Sequence, residues 1–171
     1  AFLQDFYMNF KKFVYGDGQL DARTRTLIAL AVGTRDNCGP WADYFTRRAA
    51  AVGIDDQQIA DTIAVASTNA MYNAFFKFRD LSGSDLFAGL PVGLRAHTFA
   101  GTSLDERTLE LLNIAISDLD ACKPCTSGHV EKARQLGAAV PAELHAAHHV
   151  VRGRHDFHEP APQVEAAIGG A

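Results

Sequence analysis

The segment "LELLNIAISDLDACKPCTSGHVEKARQLG" (residues 109–137) predicts a helical hairpin. Apolar residues recur in it at helical spacing, and we expect helices over residues 104–118 and 123–136. The short link DLDA between these two helices favours an antiparallel arrangement. Gly137 follows a basic last turn, which is typical of the residue that ends a helix.

An earlier part of the chain repeats this pattern without gaps at an offset of 84 residues, the separation of Cys38 from Cys122. Other matched pairs are Leu27 with Leu111, Ala31 with Ala115, Asp36 with Asp120, Pro40 with Pro124, Ala49 with Ala133, and Gly53 with Gly137. Further helices are expected at about 21–33, 40–52, 55–80 and 141–152, and no segment alternates like a strand. We therefore expect an all-α fold made of two duplicated helical units.

The organisation expected for the 171 residues is a single domain. The first unit covers about 20–81, and the second, which carries the cysteine pair, covers about 103–155. Residues 82–102 hold four glycines and a proline and are expected to connect the units. At the start of the second unit, Ser103 and Glu106 predict a capping box.

Composition excludes several classes of function. The net charge is -4 and the charges of both signs are mixed, so nucleic acid is not an expected partner. No apolar run approaches the roughly 20 residues that cross a membrane. Three cysteines do not make a disulfide scaffold, and the chain's start lacks the pattern of a secretory signal. We expect a cytoplasmic protein, in which a CxxC pair binds metal or is redox-active.

Comparison of the two units distinguishes residues that serve chemistry from residues that serve packing. Three polar residues of the second unit align with apolar or neutral residues of the first: Cys125 with Trp41, His129 with Phe45, and Glu110 with Thr26. A residue type needed only to build the hairpin would occur in both units. The second unit is therefore the expected site of any chemistry.

The spacing of the cysteines and the histidine allows them to meet. If a helix begins near Pro124, Cys122, Cys125 and His129 follow one another along one face at steps of three and four. Thiols at a helix N-terminus face unpaired N–H groups, which favour the thiolate. Lys123 adds positive charge nearby.

Glu110 is a carboxylate among apolar residues and needs a partner if it is buried. In the predicted hairpin it lies at a height similar to that of His129, so we expect a hydrogen bond between them. Cys125 lies one helical turn from His129, which completes a line of nucleophile, base and orienting acid.

Other interpretations of these residues remain open. Cys122, Cys125 and His129 supply three of the four ligands of a structural zinc site, and the pair could also be inert in a helical interaction module. Haem attachment is excluded, because residue 126 is threonine. Cys38 is expected to be a small buried residue. We expect no metal and no cofactor.

Histidines are concentrated near the end of the chain. Residues 145–158 contain five of the seven histidines, and His145 and His149 are one helical turn apart. No cysteine is close to them, so a polar helix face or a subunit contact is favoured over a metal site. His97 is expected in a loop.

The order Glu110, Cys122, Cys125 and His129, following "LNIAIS", resembles the alkyl hydroperoxidase D (AhpD) family of the carboxymuconolactone decarboxylase-like superfamily. Residues 71–83, "MYNAFFKFRDLSG", are also similar to the segment before that family's active site, and the resemblance covers about residues 20–152. It implies thiol-dependent reduction of organic hydroperoxides and a homotrimer or hexamer. It also implies a dithiol reductant, such as a lipoyl or thioredoxin-like protein, and a peroxiredoxin partner.

The resemblance assigns a role to each site residue. Cys125 is similar to the peroxidatic cysteine, Cys122 to the resolving cysteine, His129 to the base and Glu110 to the acid behind it. Pro124 replaces a second histidine that some members have, so a proton shuttle through that histidine is not expected. Which cysteine meets the reductant stays open, because the first cysteine of a CxxC pair is usually the more exposed. The alternative functions are a disulfide-exchange adaptor that reduces a peroxiredoxin, a carboxymuconolactone decarboxylase-type lyase and a zinc-structured module.

Overall fold

The computed structural model describes residues 2–139 and Ala142, and this part of the chain is all-α, without strands. Its helices are α1 (Phe2–Phe10), continued by a π-helical segment (Lys11–Tyr15), α2 (Ala22–Arg35), α3 (Gly39–Ala51), α4 (Asp56–Ser82), α5 (Asp85–Ala88), α6 (His97–Ala100), α7 (Glu106–Leu119) and α8 (Lys123–Gln135). Apart from Ala142, the helix expected at 141–152 lies outside the described residues, as do His145, His149 and the rest of the histidine-rich segment. What is expected of them stays a prediction.

Helices α2 and α3 have the same bounds as α7 and α8 when shifted by 84 residues, the separation of Ala22 from Glu106. Their ends match as well. Asp21 and Asp105 cap α2 and α7, each accepting a backbone N–H three residues later. After α3 and α8, Gly53 and Gly137 have positive φ angles of 76° and 74°, in the region where glycine is favoured. These correspondences support the interpretation of a duplicated unit, which stays a prediction.

The core forms around α2, α4 and α7, which pack against one another, while α3 packs on α2 and α8 packs on α7. Residues 24–33 of α2 and 108–117 of α7 are all buried, as expected of helices with neighbours on several sides. Trp41 and Phe45 are almost fully buried in an aromatic cluster with Phe10 and Tyr44. The first unit therefore uses for packing the two positions where the second has Cys125 and His129.

The start of α7 corrects the expected capping box. Asp105, not Ser103, is the N-cap, and its carboxylate accepts a hydrogen bond from the backbone N–H of Thr108 at 2.9 Å. Ser103 instead donates its backbone N–H and its hydroxyl to Asp61 on α4, each at 2.6 Å. The tertiary contact with α4 replaces the expected cap because it satisfies both donors of Ser103. The nearby Asp105 is itself a good N-cap residue.

The connecting segment contains two short helices, α5 and α6. His97, expected in a loop, is the first residue of α6. The segment is held against α4 by two hydrogen bonds: the hydroxyl of Tyr72 donates to the carbonyl of Leu94 at 2.8 Å, and the hydroxyls of Thr68 and Thr98 are 3.2 Å apart. These bonds bring α6 to the side of α4 that faces the cysteine pair. No helix among residues 2–139 is long and apolar enough to cross a membrane.

Candidate active site

A tight turn between α7 and α8 positions the first cysteine. The backbone N–H of Cys122 donates to the carbonyl of Ser117 at 3.0 Å, and that of Ala121 donates to Asp118 at 2.9 Å. This is the hydrogen-bond pattern of a Schellman motif, and Ala121 has the positive φ of 52° that the motif requires. Cys122 is the N-cap of α8, and Pro124 lies in the first turn, where no N–H partner is needed. The sequence expectation of a helix start near Pro124 is confirmed.

A buried polar network holds this turn in place. Asp120 is only 8% exposed and accepts hydrogen bonds from Arg35 Nε at 2.8 Å and Asn73 Nδ2 at 2.9 Å. Lys77 Nζ donates to the carbonyl of the same residue at 2.8 Å. The side-chain oxygen of Asn73 in turn accepts from the hydroxyl of Ser117. Groups from α2 and α4 thus converge on the residue two positions before Cys122, which limits movement of the cysteine backbone.

Cys122 and Cys125 are joined by a disulfide, with their Cα atoms 5.3 Å apart. Cys122 is fully buried, whereas Cys125 is half-buried and reaches a pocket. The general expectation that the first cysteine of a CxxC pair is the more exposed is therefore wrong for this chain. The physical reason is that Cys122 lies in the turn at the end of buried α7, while Cys125 lies in the first turn of α8.

Glu110 and His129 are in contact across the α7–α8 interface. Glu110 is 2% exposed, and its Oε2 is 2.7 Å from Nδ1 of His129. An ionised carboxylate only accepts hydrogen bonds, so Nδ1 carries a proton and its N–H donates a hydrogen bond to Glu110. The other ring nitrogen, Nε2, is then left without a proton when the ring is neutral. The arrangement leaves His129 able to accept a proton through Nε2.

Lys132 is a part of this site that the sequence reasoning missed. Its Nζ is 2.8 Å from the second carboxylate oxygen of Glu110, Oε1. Lys132 is three residues after His129 on α8, so both side chains lie on the same helix face. That i, i+3 spacing was the available signal, but a surface lysine rarely identifies its partner from sequence alone.

The charge state of Glu110 follows from these contacts. Burial acts to raise the pKa of Glu110, because it penalises the charged form. The hydrogen bonds from His129 and Lys132, together with their charges, outweigh burial and hold its pKa below the ordinary value. Glu110 is therefore an anion at neutral pH, although it lies inside the protein.

The lowered pKa predicts that ionised Glu110 stabilises the fold near neutral pH and that this stabilisation is lost in acid. A carboxylate with a depressed folded-state pKa stabilises the fold above its unfolded pKa, ordinarily near 4.5, and the contribution is lost as pH falls through the folded value. We expect the wild type to lose more free energy of unfolding than Glu110→Gln between pH 6 and pH 3. Urea denaturation at both pH values measures the difference.

Glu131→Gln is the matched control for that measurement. Glu131 also has a lowered pKa, caused by hydrogen bonds from Arg134 and Gln135, but it lies on the exposed surface of α8. Solvent screens such pairs, so this variant should keep the wild-type pH dependence. Equal slopes for the wild type and Glu110→Gln would contradict the assignment of a buried, ionised Glu110.

A pocket of about 270 Å³ opens beside the disulfide. Helix α4 contributes Tyr72 and Phe76, α6 contributes Phe99, and α8 contributes Cys125 and His129. The amide of Asn69, 1% exposed, also lines the pocket and is held by two hydrogen bonds from its Nδ2 to Asn113. The pocket therefore combines aromatic surface with one sulfur and one imidazole. None of its aromatic residues was identified as a site residue from the sequence, because the α4 and α6 contributions depend on packing.

The remaining candidates lie elsewhere. Cys38, expected to be a small buried residue, is a free cysteine at the start of α3 that is half-buried and packs against the core. Within residues 2–139, no cluster of three or more His, Cys, Asp or Glu side chains has a geometry that could hold a metal ion. Cys122, Cys125 and His129 thus do not form a ligand set as they stand.

Known proteins resemble this chain over most of its length. The sequence pattern of the carboxymuconolactone decarboxylase family matches residues 2–80 and 86–152. A relative from Solibacter usitatus is 29% identical over 121 residues, covering 71% of this chain and 67% of the relative. Relatives from Acidobacterium capsulatum (25% over 151 residues, 85% of this chain and 79% of the relative) and Coxiella burnetii (26% over 134 residues, 78% and 73%) are also similar. All three are called alkyl hydroperoxide reductase AhpD.

Proposed function

The chain belongs to the carboxymuconolactone decarboxylase family, and on that premise we propose that it is a thiol peroxidase that reduces organic hydroperoxides through Cys122 and Cys125. One observation carries the proposal: Cys125 shares a pocket with His129, whose Nδ1 is bound to the buried anion Glu110. The names of the curated relatives support the same chemistry. Packing needs alone do not explain a buried carboxylate that holds an imidazole beside a sulfur.

The first step forms a sulfenic acid on Cys125. In the reduced protein, His129 accepts the thiol proton of Cys125 through Nε2, and Glu110 stabilises the resulting imidazolium. The thiolate attacks the distal peroxide oxygen and the O–O bond breaks. The alkoxide that leaves takes the proton back from His129 and departs as an alcohol. Cys125 is oxidised by two electrons and the peroxide is reduced by two.

The second and third steps return the enzyme to its starting state. The thiol of Cys122 attacks the sulfenic sulfur of Cys125, releasing water and forming the disulfide. An external dithiol then attacks the accessible sulfur, Cys125, and Cys122 leaves as a thiolate at the N-terminus of α8, where unpaired N–H groups stabilise it. The second thiol of the reductant displaces Cys125 and carries away the oxidising equivalents as its own disulfide.

The pocket favours substrates with an apolar group. Its aromatic side chains, Tyr72, Phe76 and Phe99, offer contact to a hydrocarbon portion, while the hydroperoxide group reaches Cys125 and His129. Hydrogen peroxide has no such portion and gains nothing from these contacts. Organic hydroperoxides are accordingly the proposed substrate class.

The partners in this proposal are a dithiol reductant, lipoyl-bearing or thioredoxin-like, and a peroxiredoxin. A homotrimer or hexamer is proposed as well. It is supported by exposed apolar side chains near the end of α4 and on α5, namely Phe78, Leu81 and Leu86, which are 55%, 76% and 83% exposed. Sedimentation equilibrium of the full chain measures the assembly, and a monomer at all concentrations would contradict it.

The decisive experiment is the mass of fully reduced, metal-free protein after one equivalent of cumene hydroperoxide. We expect the loss of two hydrogens, located by peptide mapping to a link between Cys122 and Cys125. Formation of this link should be faster than any oxidation of the Cys125→Ser variant. Thiols that stay free in the folded protein would overturn the peroxidase proposal.

Three further measurements discriminate the rival functions. A disulfide that forms rapidly with an oxidised peroxiredoxin but not with free peroxide would indicate a disulfide-exchange adaptor. Activity on a carboxymuconolactone that survives alkylation of all thiols would indicate a lyase, whose chemistry needs no dithiol. A metal content near one per chain would indicate the zinc-structured module.

A further inference from the structure

Glu110 holds two cationic or proton-donating groups at once, one on each oxygen. His129 Nδ1 is 2.7 Å from Oε2, and Lys132 Nζ is 2.8 Å from Oε1. The side chain of Glu110 is 2% exposed, that of His129 is 27% exposed and that of Lys132 is 53% exposed. A buried carboxylate in contact with a lysine and a histidine is a three-group charge system, not a simple pair.

The number of charges in this system determines how the histidine behaves. If Glu110 had His129 as its only partner, its negative charge would favour the imidazolium form of the ring. An imidazolium has no lone pair for the proton of Cys125. The ammonium of Lys132 already neutralises Glu110, so a second positive charge on His129 adds less stability. The lysine therefore favours the uncharged ring, which is the form that acts as a base.

The other groups around His129 do not supply this charge. Within the described residues, Tyr72 on α4 is the one ionisable side chain from a neighbouring helix that lines the pocket beside His129. Glu110 on α7 contacts the other side of the imidazole ring, at Nδ1. Cys125 is the ionisable group nearby on α8 itself, and Phe99 on α6 carries no charge. Arg134, also on α8, is paired with Glu131 on the solvent side. Lys132 is thus the cation in contact with Glu110.

We propose that Lys132 is a positioning residue that balances the charge of Glu110 and so keeps His129 uncharged and able to accept the proton of Cys125. Lys132 acts through Glu110 and does not touch the pocket. The kinetic part of this inference rests on the proposed peroxidase function, whereas the effect of Lys132 on the protonation of His129 does not.

The test is an NMR titration of the His129 ring in the full-length disulfide form, in which neither Cys122 nor Cys125 titrates. The signal among the seven histidines is assigned by its absence in His129→Gln. For Lys132→Met we expect the titration midpoint to move to higher pH by about half a unit to one unit, the size expected for loss of one nearby, partly screened charge. Lys132→Arg keeps the charge and should stay near the wild type.

Arg134→Met is the matched control, because it removes one positive charge from the same helix without touching Glu110. Its midpoint should stay with that of the wild type. Equal shifts of the His129 midpoint in Arg134→Met and Lys132→Met would mean that the shift comes from the net charge of the helix and not from contact with Glu110. That result would overturn the proposal. A Lys132→Met midpoint that coincides with the wild type, or a Lys132→Arg midpoint that moves as far as that of Lys132→Met, would overturn it too.

Peroxide kinetics give the second readout. With reduced protein, Lys132→Met should slow the peroxide step by about 3- to 10-fold below the midpoint of its pH profile, and the loss should disappear at higher pH, where the ring is uncharged in both proteins. A merely structural role would lower the rate at every pH, and that result contradicts the proposal. If the NMR midpoint moves as expected but no form of the protein consumes peroxide, the peroxidase function fails while the role of Lys132 stands.

Discussion

Replacing Cys125 with serine should lower turnover of organic hydroperoxide by about 10³-fold or more, the scale seen when a catalytic nucleophile is removed. Serine has almost the same size, but its hydroxyl is not ionised near neutral pH and does not attack the O–O bond. Cys125 is also the accessible member of the pair, since Cys122 is fully buried. Steady-state consumption of cumene hydroperoxide with excess dithiothreitol measures the loss.

The matching replacement at Cys122 separates the two roles. Cys122→Ser should still react once with peroxide and stop as a sulfenic acid on Cys125, which a dimedone adduct traps. Cys38→Ser is the control: Cys38 is the third cysteine, at the start of α3, and should leave turnover unchanged. If Cys125→Ser forms the dimedone adduct and Cys122→Ser does not, the assignment of the two cysteines is reversed.

Replacing His129 with glutamine should slow the peroxide step by about 10²-fold at neutral pH, the usual contribution of a general base. Glutamine can still donate a hydrogen bond to Glu110, so the buried carboxylate is not left without partners, and Lys132 remains in contact with it. The loss should therefore be one of proton transfer and not of folding. Stopped-flow rates of reduced protein across pH measure it.

The shape of the pH profile provides the check on this second prediction. The acid limb that depends on the imidazole should vanish in His129→Gln, and the remaining rise with pH should follow the thiol alone. Urea denaturation should show a free energy of unfolding close to that of the wild type. An unchanged pH profile would remove His129 from the mechanism, whatever the size of the rate loss.

Much of the helical architecture could be read from the chain because its signals are local. The helices expected at about 21–33 and 104–118 agree with α2 and α7 within two residues. Apolar periodicity and the glycines at positions 53 and 137 are properties of neighbouring residues, and they survive whatever the helix packs against. The capping box at Ser103 failed for the opposite reason, because that side chain found a partner on α4, 42 residues away.

Some residues of the candidate site could likewise be predicted from the sequence, and others could not. Cys125, His129 and Glu110 could be selected because the first unit has Trp41, Phe45 and Thr26 in their places, a comparison within one sequence. The aromatic residues of the pocket could not, because they depend on how α4 and α6 meet α8. The ion pair of Lys132 could not either, because it depends on how α8 packs on α7. The sequence left open which of the two cysteines is accessible, because that depends on the burial of the turn after α7.

The sequence by itself determined that the protein is all-α and that a cysteine pair, a histidine and a lone acid occur together in its second half. Periodicity and spacing are enough for this, because helix geometry alone brings residues three and four apart onto one face. Only the tertiary structure decided which sulfur is accessible, which lysine contacts Glu110 and what lines the pocket. Those properties arise where side chains distant in the chain exclude water from one another, and no local pattern encodes that contact.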